Sequence, residues 1–296
     1  MDPGAPLRYV RDDGVFKRPT TMQRVKPTLV SDNPAPDIEP DEAKDDRHFV
    51  TALARGLEVL ACFRRGERTL GNSEIAERCG LARSTVSRLT HTLTTLGYLH
   101  PVPESGGYRL GTALIALGAT ALAGLDVRQL ARPGMREIAI LSNASVGLGV
   151  RDRLSMRYIE CCRGEAAIAL NMDVGSRLSM ARSAMGRAYL CVCDEAERRA
   201  ILDDIRSVDD AGWPKLRDGV ERALADYGEF GCARSFGDWQ PTVDAIAVAF
   251  RPGGGLPPMS INCGAPSVIL DREVLMNEVR PRLIALAASL EGVMGS

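Results

Sequence analysis

The sequence predicts an α+β protein of two domains, and three observations predict it. Residues 70–97 carry two short helical patterns that meet at Gly80. A short extended run, a Gly-Gly turn and a second extended run follow at once. Beyond Asp126 the texture changes to helix-like and strand-like segments in alternation, joined by short turns.

The first observation rests on the stretch LGNSEIAERCGLARSTVSRLTHTLTTLG. Its first helix is expected from about Asn72 to Cys79, with Ile75 and Ala76 facing inward. Gly80 permits a tight turn and Leu81 plugs the corner. The second helix starts near Ala82, and Val86, Leu89, Leu93 and Leu96 fall at spacings of three and four, one face of a helical period. Its other flank presents Arg83, Ser84, Thr85, Ser87, Arg88 and His91. Hydroxyl and guanidinium groups are what phosphates and the guanine edge require.

Upstream, Phe49–Arg64 places Leu53, Leu57, Leu60 and Phe63 at helical spacing, so a third helix is expected to cover the pair. Downstream, Tyr98-Leu99-His100 leads through Val102 to the turn Glu104-Ser105-Gly106-Gly107 and then Tyr108-Arg109-Leu110, a β-hairpin. Three helices followed by a hairpin make a winged helix-turn-helix, in which the amino-terminal part of the second helix meets base edges. Tyr108 is expected to pack, and Arg109 to meet the phosphate backbone. Arg55, on the covering helix, joins the candidate DNA-contacting residues. The alternative for the stretch alone is an ordinary helical hairpin with a solvated polar face; its flanks argue against that.

Charge points the same way once it is divided. The whole chain carries −1, but residues 1–46 carry −3, residues 47–110 carry +4 with all three histidines, and residues 111–296 carry −2. The basic segment is thus the one the helical pattern picks out, and a positive balance attracts phosphates in a salt-dependent way. No run is apolar and long enough for a membrane span, and the N-terminus lacks a signal-peptide core, so a cytoplasmic protein is expected. Eight cysteines do not form a disulfide framework in such a chain. Cys161-Cys162 and Cys191-x-Cys193 resemble ligand pairs, but no His lies beyond His100 to complete a site, and structural cysteines are the expectation. Neither metal nor cofactor is expected.

Residues 1–46 hold seven of the seventeen prolines and no apolar period, and are expected to be a disordered tail. The winged helix spans residues 47–110. Residues 111–125, small and apolar, form a linker helix open to close approach by another helix. Residues 126–296 then form the second domain. Helices are expected over Val127–Leu141, Ala184–Cys193, Glu195–Ile205, Pro214–Tyr227 and Glu273–Leu290. Strands are expected over Val146–Val150, Met156–Cys161, Ala167–Met172, Cys232–Phe236, Val243–Phe250 and Pro258–Cys263. This pattern suggests an antiparallel sheet flanked by helices.

At this point the chain resembles the IclR-type bacterial transcriptional regulators over roughly residues 48–293. The resemblance is carried by Ala54-Arg55-Gly56-Leu57-Glu58-Val59-Leu60, Glu74-Ile75-Ala76, Gly80 to Leu89, Leu96-Gly97-Tyr98-Leu99 and Tyr108-Arg109-Leu110-Gly111. In the second domain it is carried by Ser183-Ala184-Met185-Gly186-Arg187-Ala188-Tyr189-Leu190 and Ala245-Ile246-Ala247-Val248-Ala249. The resemblance implies a GAF-like effector domain that binds a small organic or aromatic acid, and a homodimer or tetramer on a palindromic operator. By position, Ala184, Met185 and Gly186 would floor the effector cavity, where a helix start offers free N–H groups to a carboxylate. Ser235, Ala245, Ser260 and Asn262 would supply other walls, although Ser260 and Asn262 could equally face solvent. Trp239 would either stack on an aromatic effector or cap the domain. The chain departs from several relatives at Ser235 and Ala245, where they carry an acidic residue and a cysteine, which bears on ligand identity.

The leading expectation is therefore a ligand-responsive DNA-binding regulator of a catabolic pathway. A DNA-bound scaffold without effector sensing is the alternative. An enzyme fused to a DNA-binding domain is disfavoured because residues 111–296 contain no His, no G-x-S-x-G and no P-loop.

Overall fold

The structure is a computed structural model that describes residues 48–64, 66–165, 170 and 172–293. The expected tail over residues 1–46, and the expected strand 167–172 apart from Leu170 and Met172, lie outside the described residues. The chain divides into two compact units between Ala116 and Leu117.

The first unit contains α1 (Thr51–Ala61), α2 (Asn72–Cys79), α3 (Arg83–Thr95) and the two-stranded sheet of β1 (Leu99–Val102) and β2 (Gly107–Leu110). The Glu74 carboxylate accepts the Gly71 amide at 2.9 Å and so caps the start of α2. Gly80 then takes a left-handed conformation at φ 62, and the Leu81 amide returns to the Ala76 carbonyl at 3.0 Å. A side chain at that φ would be strained, so glycine sets the corner. Val59, Leu70, Ile75, Val86, Leu93 and Leu99 form the core.

Three apolar positions behave differently from expectation. Leu53 and Leu57 are 62% and 58% exposed, because α1 lies on its neighbours through Val59, Leu60 and Phe63 near its C-terminal end. Leu96 is also exposed, since α3 ends there and the chain turns through Gly97 into the wing. Tyr108 packs as expected and also exchanges two backbone hydrogen bonds, both 2.9 Å, with Leu70. Gly107 is required at that crossing: a Cβ there would lie 2.8 Å from the Leu70 carbonyl oxygen.

Helix α4 (Thr112–Ala123) buries no residue. In the second unit, α5 (Asp126–Ser142) precedes a six-stranded antiparallel sheet. Its strands are β3 (Ser145–Asp152), β4 (Ser155–Arg163), β5 (Arg177–Ser179), β6 (Ala233–Phe236), β7 (Val243–Phe250) and β8 (Met259–Pro266), in the order β5-β4-β3-β8-β7-β6. Between β5 and β6 come α6 (Ala184–Val192), α7 (Glu195–Val208) and α8 (Trp213–Phe230). The chain closes with α9 (Arg272–Val274), a π-helical turn (Leu275–Val279) and α10 (Arg280–Leu290). One sheet face packs Val146, Leu148, Ile246, Val248 and Ile261 against α5 and α10; the other packs Tyr158, Ala247 and Ala249 against α6 and α8.

The single C-terminal helix expected over Glu273–Leu290 is interrupted by the π turn. Pro281 has no N–H for the regular ladder, and the Arg280 amide bonds five residues back to Leu275. The three-residue β5 was not expected, being too short to show a period.

Small residues let α6 approach the sheet. A Cβ on Gly149 would collide with the Met185 sulfur, and one on Gly186 with the Met180 backbone. Gly186→Ala should therefore cost about 1–3 kcal/mol by overpacking. At ~2–4 °C per kcal/mol, differential scanning calorimetry should show a Tm lower by several degrees for the transition of this unit.

Candidate functional site

Helix α3 buries one flank and exposes the other. Val86, Thr90 and Leu93 face the core, while Arg83, Ser84, Ser87, Arg88 and His91 are exposed and Thr85 is half-buried. Thr90 was not expected inside. Its hydroxyl donates to the Val86 carbonyl at 2.9 Å and is 3.2 Å from Asn72 Oδ1, which ties α3 to the start of α2. Among the described residues, Arg83, Arg88, Arg55 and Arg109 make no ion pair, whereas Arg78 is held by Glu67 at 2.8 Å. Arg109 is exposed on β2, opposite His100 on β1. Arg55 is exposed on α1. Unpaired guanidinium groups along a helix that also offers hydroxyls suit phosphate and base-edge contacts.

The second unit holds a small cavity at the N-terminal end of α6. Ala184, Ser235, Trp239, Ala245 and Asn262 line it, as the sequence suggested. Met185, Gly186 and Ser260 do not. Met185 packs onto Gly149, Gly186 lies on the Met180 backbone, and Ser260 is wholly buried on β8 opposite Gly149. Tyr158, Leu170, Met172, Leu178, Ser183 and Val243 complete most of the remaining wall. Among the described residues, all the lining side chains are uncharged.

The polar groups around the cavity divide into those already satisfied and those left over. Ser183 Oγ donates to the Ser179 carbonyl at 2.7 Å and accepts the Gly186 amide at 3.1 Å. Ser235 Oγ donates to the Arg182 carbonyl at 2.8 Å. The buried Tyr158 hydroxyl donates to Asn262 Oδ1 at 2.9 Å, and burial pushes its phenol above the ordinary range, so it stays protonated. Three donors remain. Trp239 Nε1 is buried without a partner. Neither the Asn262 amide NH₂ nor the backbone N–H of Ala184 has a hydrogen-bond acceptor among the described residues. A buried donor left unpaired is costly, and a ligand acceptor removes that cost.

Arg187 and Asp238 are positioning residues that sequence reasoning passed over. The nearly fully buried Arg187 donates from Nη1 to Asp238 Oδ2 at 2.6 Å and to the Arg234 carbonyl at 2.9 Å. Its Nε donates to the Ala181 carbonyl at 2.9 Å. Asp238 adjoins Trp239, so this ion pair fixes the segment that carries the indole. A lone Arg in the apolar run Ala184–Val192 was the available signal, since a buried charge requires a partner. On the opposite sheet face, buried Glu160 pairs with Arg128 at 3.1 Å and Arg132 at 2.6 Å. Among the described residues no group of three or more His, Cys, Asp or Glu side chains is placed to hold a metal, and no single helix is long and apolar enough to cross a membrane.

A winged helix joined to a sheet domain with a small cavity defines a class, the DNA-binding transcription regulators. Comparison with known proteins is more specific. Residues 52–103 match the IclR helix-turn-helix domain, and residues 119–291 match the bacterial transcriptional regulator IclR C-terminal domain. The HTH-type transcriptional regulator TsaQ1/TsaQ2 of Comamonas testosteroni is 31% identical over 86% of this chain and 92% of its own. The crystal structure of an IclR family transcriptional regulator from Brucella abortus superposes with a TM-score of 0.76 at 43% identity, covering 83% of this chain and 93% of that one. An IclR homolog from Microbacterium hydrocarbonoxydans complexed with 4-hydroxybenzoate shares the fold, with a TM-score of 0.64 at 24% identity over 83% of this chain and 99% of that one. The chain belongs to the IclR family of bacterial transcriptional regulators; its relatives are named regulators, not enzymes.

Removing the Asp238 carboxylate should loosen the indole. In a Trp213→Phe background, which leaves Trp239 as the single tryptophan of the two, Asp238→Ala should red-shift the emission. Stability should fall by about 1–3 kcal/mol, because Arg187 then lacks its anion.

Proposed function

We propose that the cavity at the start of α6 binds a small organic acid, most simply an aromatic one, and that its occupancy changes the affinity of α3 for an operator. The observation that carries this reading is the set of unpaired donors around an otherwise apolar, uncharged pocket. Trp239 Nε1, the Asn262 NH₂ and the Ala184 amide offer hydrogen bonds, and the helix end adds a positive dipole to suit a carboxylate. The bound 4-hydroxybenzoate named for the Microbacterium homolog, which shares this fold, supports the same ligand class.

On the DNA side, Arg83, Ser84, Thr85, Ser87, Arg88 and His91 enter the major groove, and Arg109 and Arg55 meet phosphates. The protein acts as a homodimer or a tetramer in the cytoplasm, with two copies of α3 on a palindromic site. Exposed Val50, Leu53 and Leu57 on and beside α1, and an α4 whose Ile115 is 72% exposed, are apolar surface suited to a second copy.

Two measurements test this reading. Arg83→Ala and Arg88→Ala should each weaken binding to intergenic DNA beside the gene by roughly tenfold or more, at about 1–3 kcal/mol per contact, without moving the Tm of the effector domain. Retained affinity in both variants would remove α3 from the interface. A thermal-shift panel of hydroxybenzoates and aliphatic acids should raise the Tm for at least one compound, and Trp239→Phe or Asn262→Ala should reduce that rise. No response to any compound in the panel would favour a scaffold that senses nothing.

A further inference from the structure

Helix α4 crosses the boundary between the two units, and each end is held by contacts within its own unit. At its start the Gly111 amide donates to the Tyr98 carbonyl at 2.7 Å and the Ala113 amide to the Gly97 carbonyl at 3.3 Å, just beyond the end of α3. At its far end the chain bends by 79° into α5. Leu122 and Leu125, at the bend, pack against the core of the second unit. Arg128, in the first turn of α5, spans it. Its Nη1 donates back to the Leu122 carbonyl at 3.3 Å, and its Nη2 donates to Glu160 Oε2 at 3.1 Å. The Arg128 Nε is buried without a partner. An arginine placed only to neutralise Glu160 would offer it two parallel N–H groups. This one leaves Nε unpaired and divides its Nη groups between the carboxylate and the α4 carbonyl.

Glu160 reaches that position through a bulge in β4. Leu148 pairs with Glu160 and the next residue, Gly149, pairs with Tyr158, so Ile159 is the extra residue on β4. In a regular strand Tyr158 and Glu160 would share a face; the bulge shifts the alternation. Tyr158 therefore lines the cavity, while Glu160 meets α5 on the other side of the sheet. Arg132 holds Glu160 Oε1 at 2.6 Å through one N–H and, among the described residues, makes no hydrogen bond to α4.

We propose that Glu160 is a positioning residue for operator binding, which through Arg128 fixes the bend where α4 leaves the second unit. The inference rests on the regulator reading above and adds the contact that joins its two halves. Glu160 does not line the cavity and acts through Arg128 and the α4 carbonyl. A bend free to vary would spread the positions of two α3 copies, and occupying both half-sites would then cost the ordering of each.

Exchange of arginine for lysine separates this role from that of an ordinary ion pair. Lysine lacks the fork that lets Arg128 hold two partners, whereas at Arg132 it can keep the single contact with Glu160. The amides of Gly124, Leu125 and Arg128 are hydrogen-bonded at the bend and report on it. Hydrogen–deuterium exchange of the full-length chain, without DNA or added ligand, should be about fivefold faster over residues 122–128 in Arg128→Lys and Glu160→Gln. In Arg132→Lys it should stay within about twofold of wild type. Unchanged exchange in β7 and β8 checks that each variant is folded. Should Glu160→Gln fail that check, Arg128→Lys, at a partly exposed site with its charge kept, decides alone.

Affinity for intergenic DNA beside the gene, read by fluorescence anisotropy at fixed salt, should weaken about fivefold in the same two variants and hold in Arg132→Lys. Arg128→Lys leaves the net charge unchanged, and Glu160→Gln makes it more positive, which by itself would tighten phosphate binding. Weakening in both therefore reads the bend and not the charge. Equal acceleration of exchange in all three variants would reduce Glu160 to a structural ion pair and overturn the proposal. Wild-type exchange or wild-type DNA affinity in Arg128→Lys would overturn it as well. A wild-type chain that binds no such DNA would instead fail the regulator reading, and the exchange measurement would still decide whether Arg128 and Glu160 hold the bend.

Discussion

Thr90 sits wholly buried in α3, its hydroxyl shared between the Val86 carbonyl one turn back and the Asn72 side chain at the start of α2. That contact, with Val86 and Leu93 on either side, seats α3 by one flank only. The left-handed corner at Gly80 sets the direction in which the helix leaves. The opposite flank is left largely exposed. Its arginines are left unpaired, while Arg78, a few residues away, is fully engaged with Glu67 and the Cys62 carbonyl. The arginines engaged within the unit and those left unpaired are thus separated by which side of the helix pair they leave from.

The second unit works by a related economy of space. Glycine and alanine along β3, β7 and β8 let α6 settle close to the sheet, with Met185 filling the room over Gly149. Beyond the first turn of α6 the small residues continue as Ala245 and Gly264, which line the cavity. Arg187 crosses beneath the Arg234 carbonyl to hold Asp238, so the segment that closes the pocket is braced by a buried charge. A rigid wall with unpaired donors is the arrangement in which a ligand gains most from each hydrogen bond it makes.

Much of this was legible in the sequence where local rules govern. The α2 limits, Asn72 and Cys79, follow from a capping Glu74 and a terminating Gly80. The wing follows from its Gly-Gly turn, and β7 from its continuous apolar run. What escaped notice depends on partners distant in sequence. Thr90 reads as a polar helix residue until Asn72 is beside it, and Arg187 has no visible partner without Asp238. Leu53 and Leu57 carry a helical period that marks an apolar face, and period alone does not say whether this chain or another covers it. In the cavity, the family resemblance named Ala184, Ser235, Trp239, Ala245 and Asn262, and these side chains line it. Met185 and Gly186 turn away because successive helix residues are rotated by about 100°. Ser260 shares the Asn262 face but lies two residues, about 7 Å, deeper along the strand.

Hydrogen–deuterium exchange of the full chain, with and without intergenic DNA from beside its gene, addresses the seating of α3 directly. Slowed exchange over residues 83–91 and at the wing, with the sheet of the second unit unchanged, is the expected outcome. Bound DNA that leaves residues 83–91 exchanging as in the free protein would contradict it.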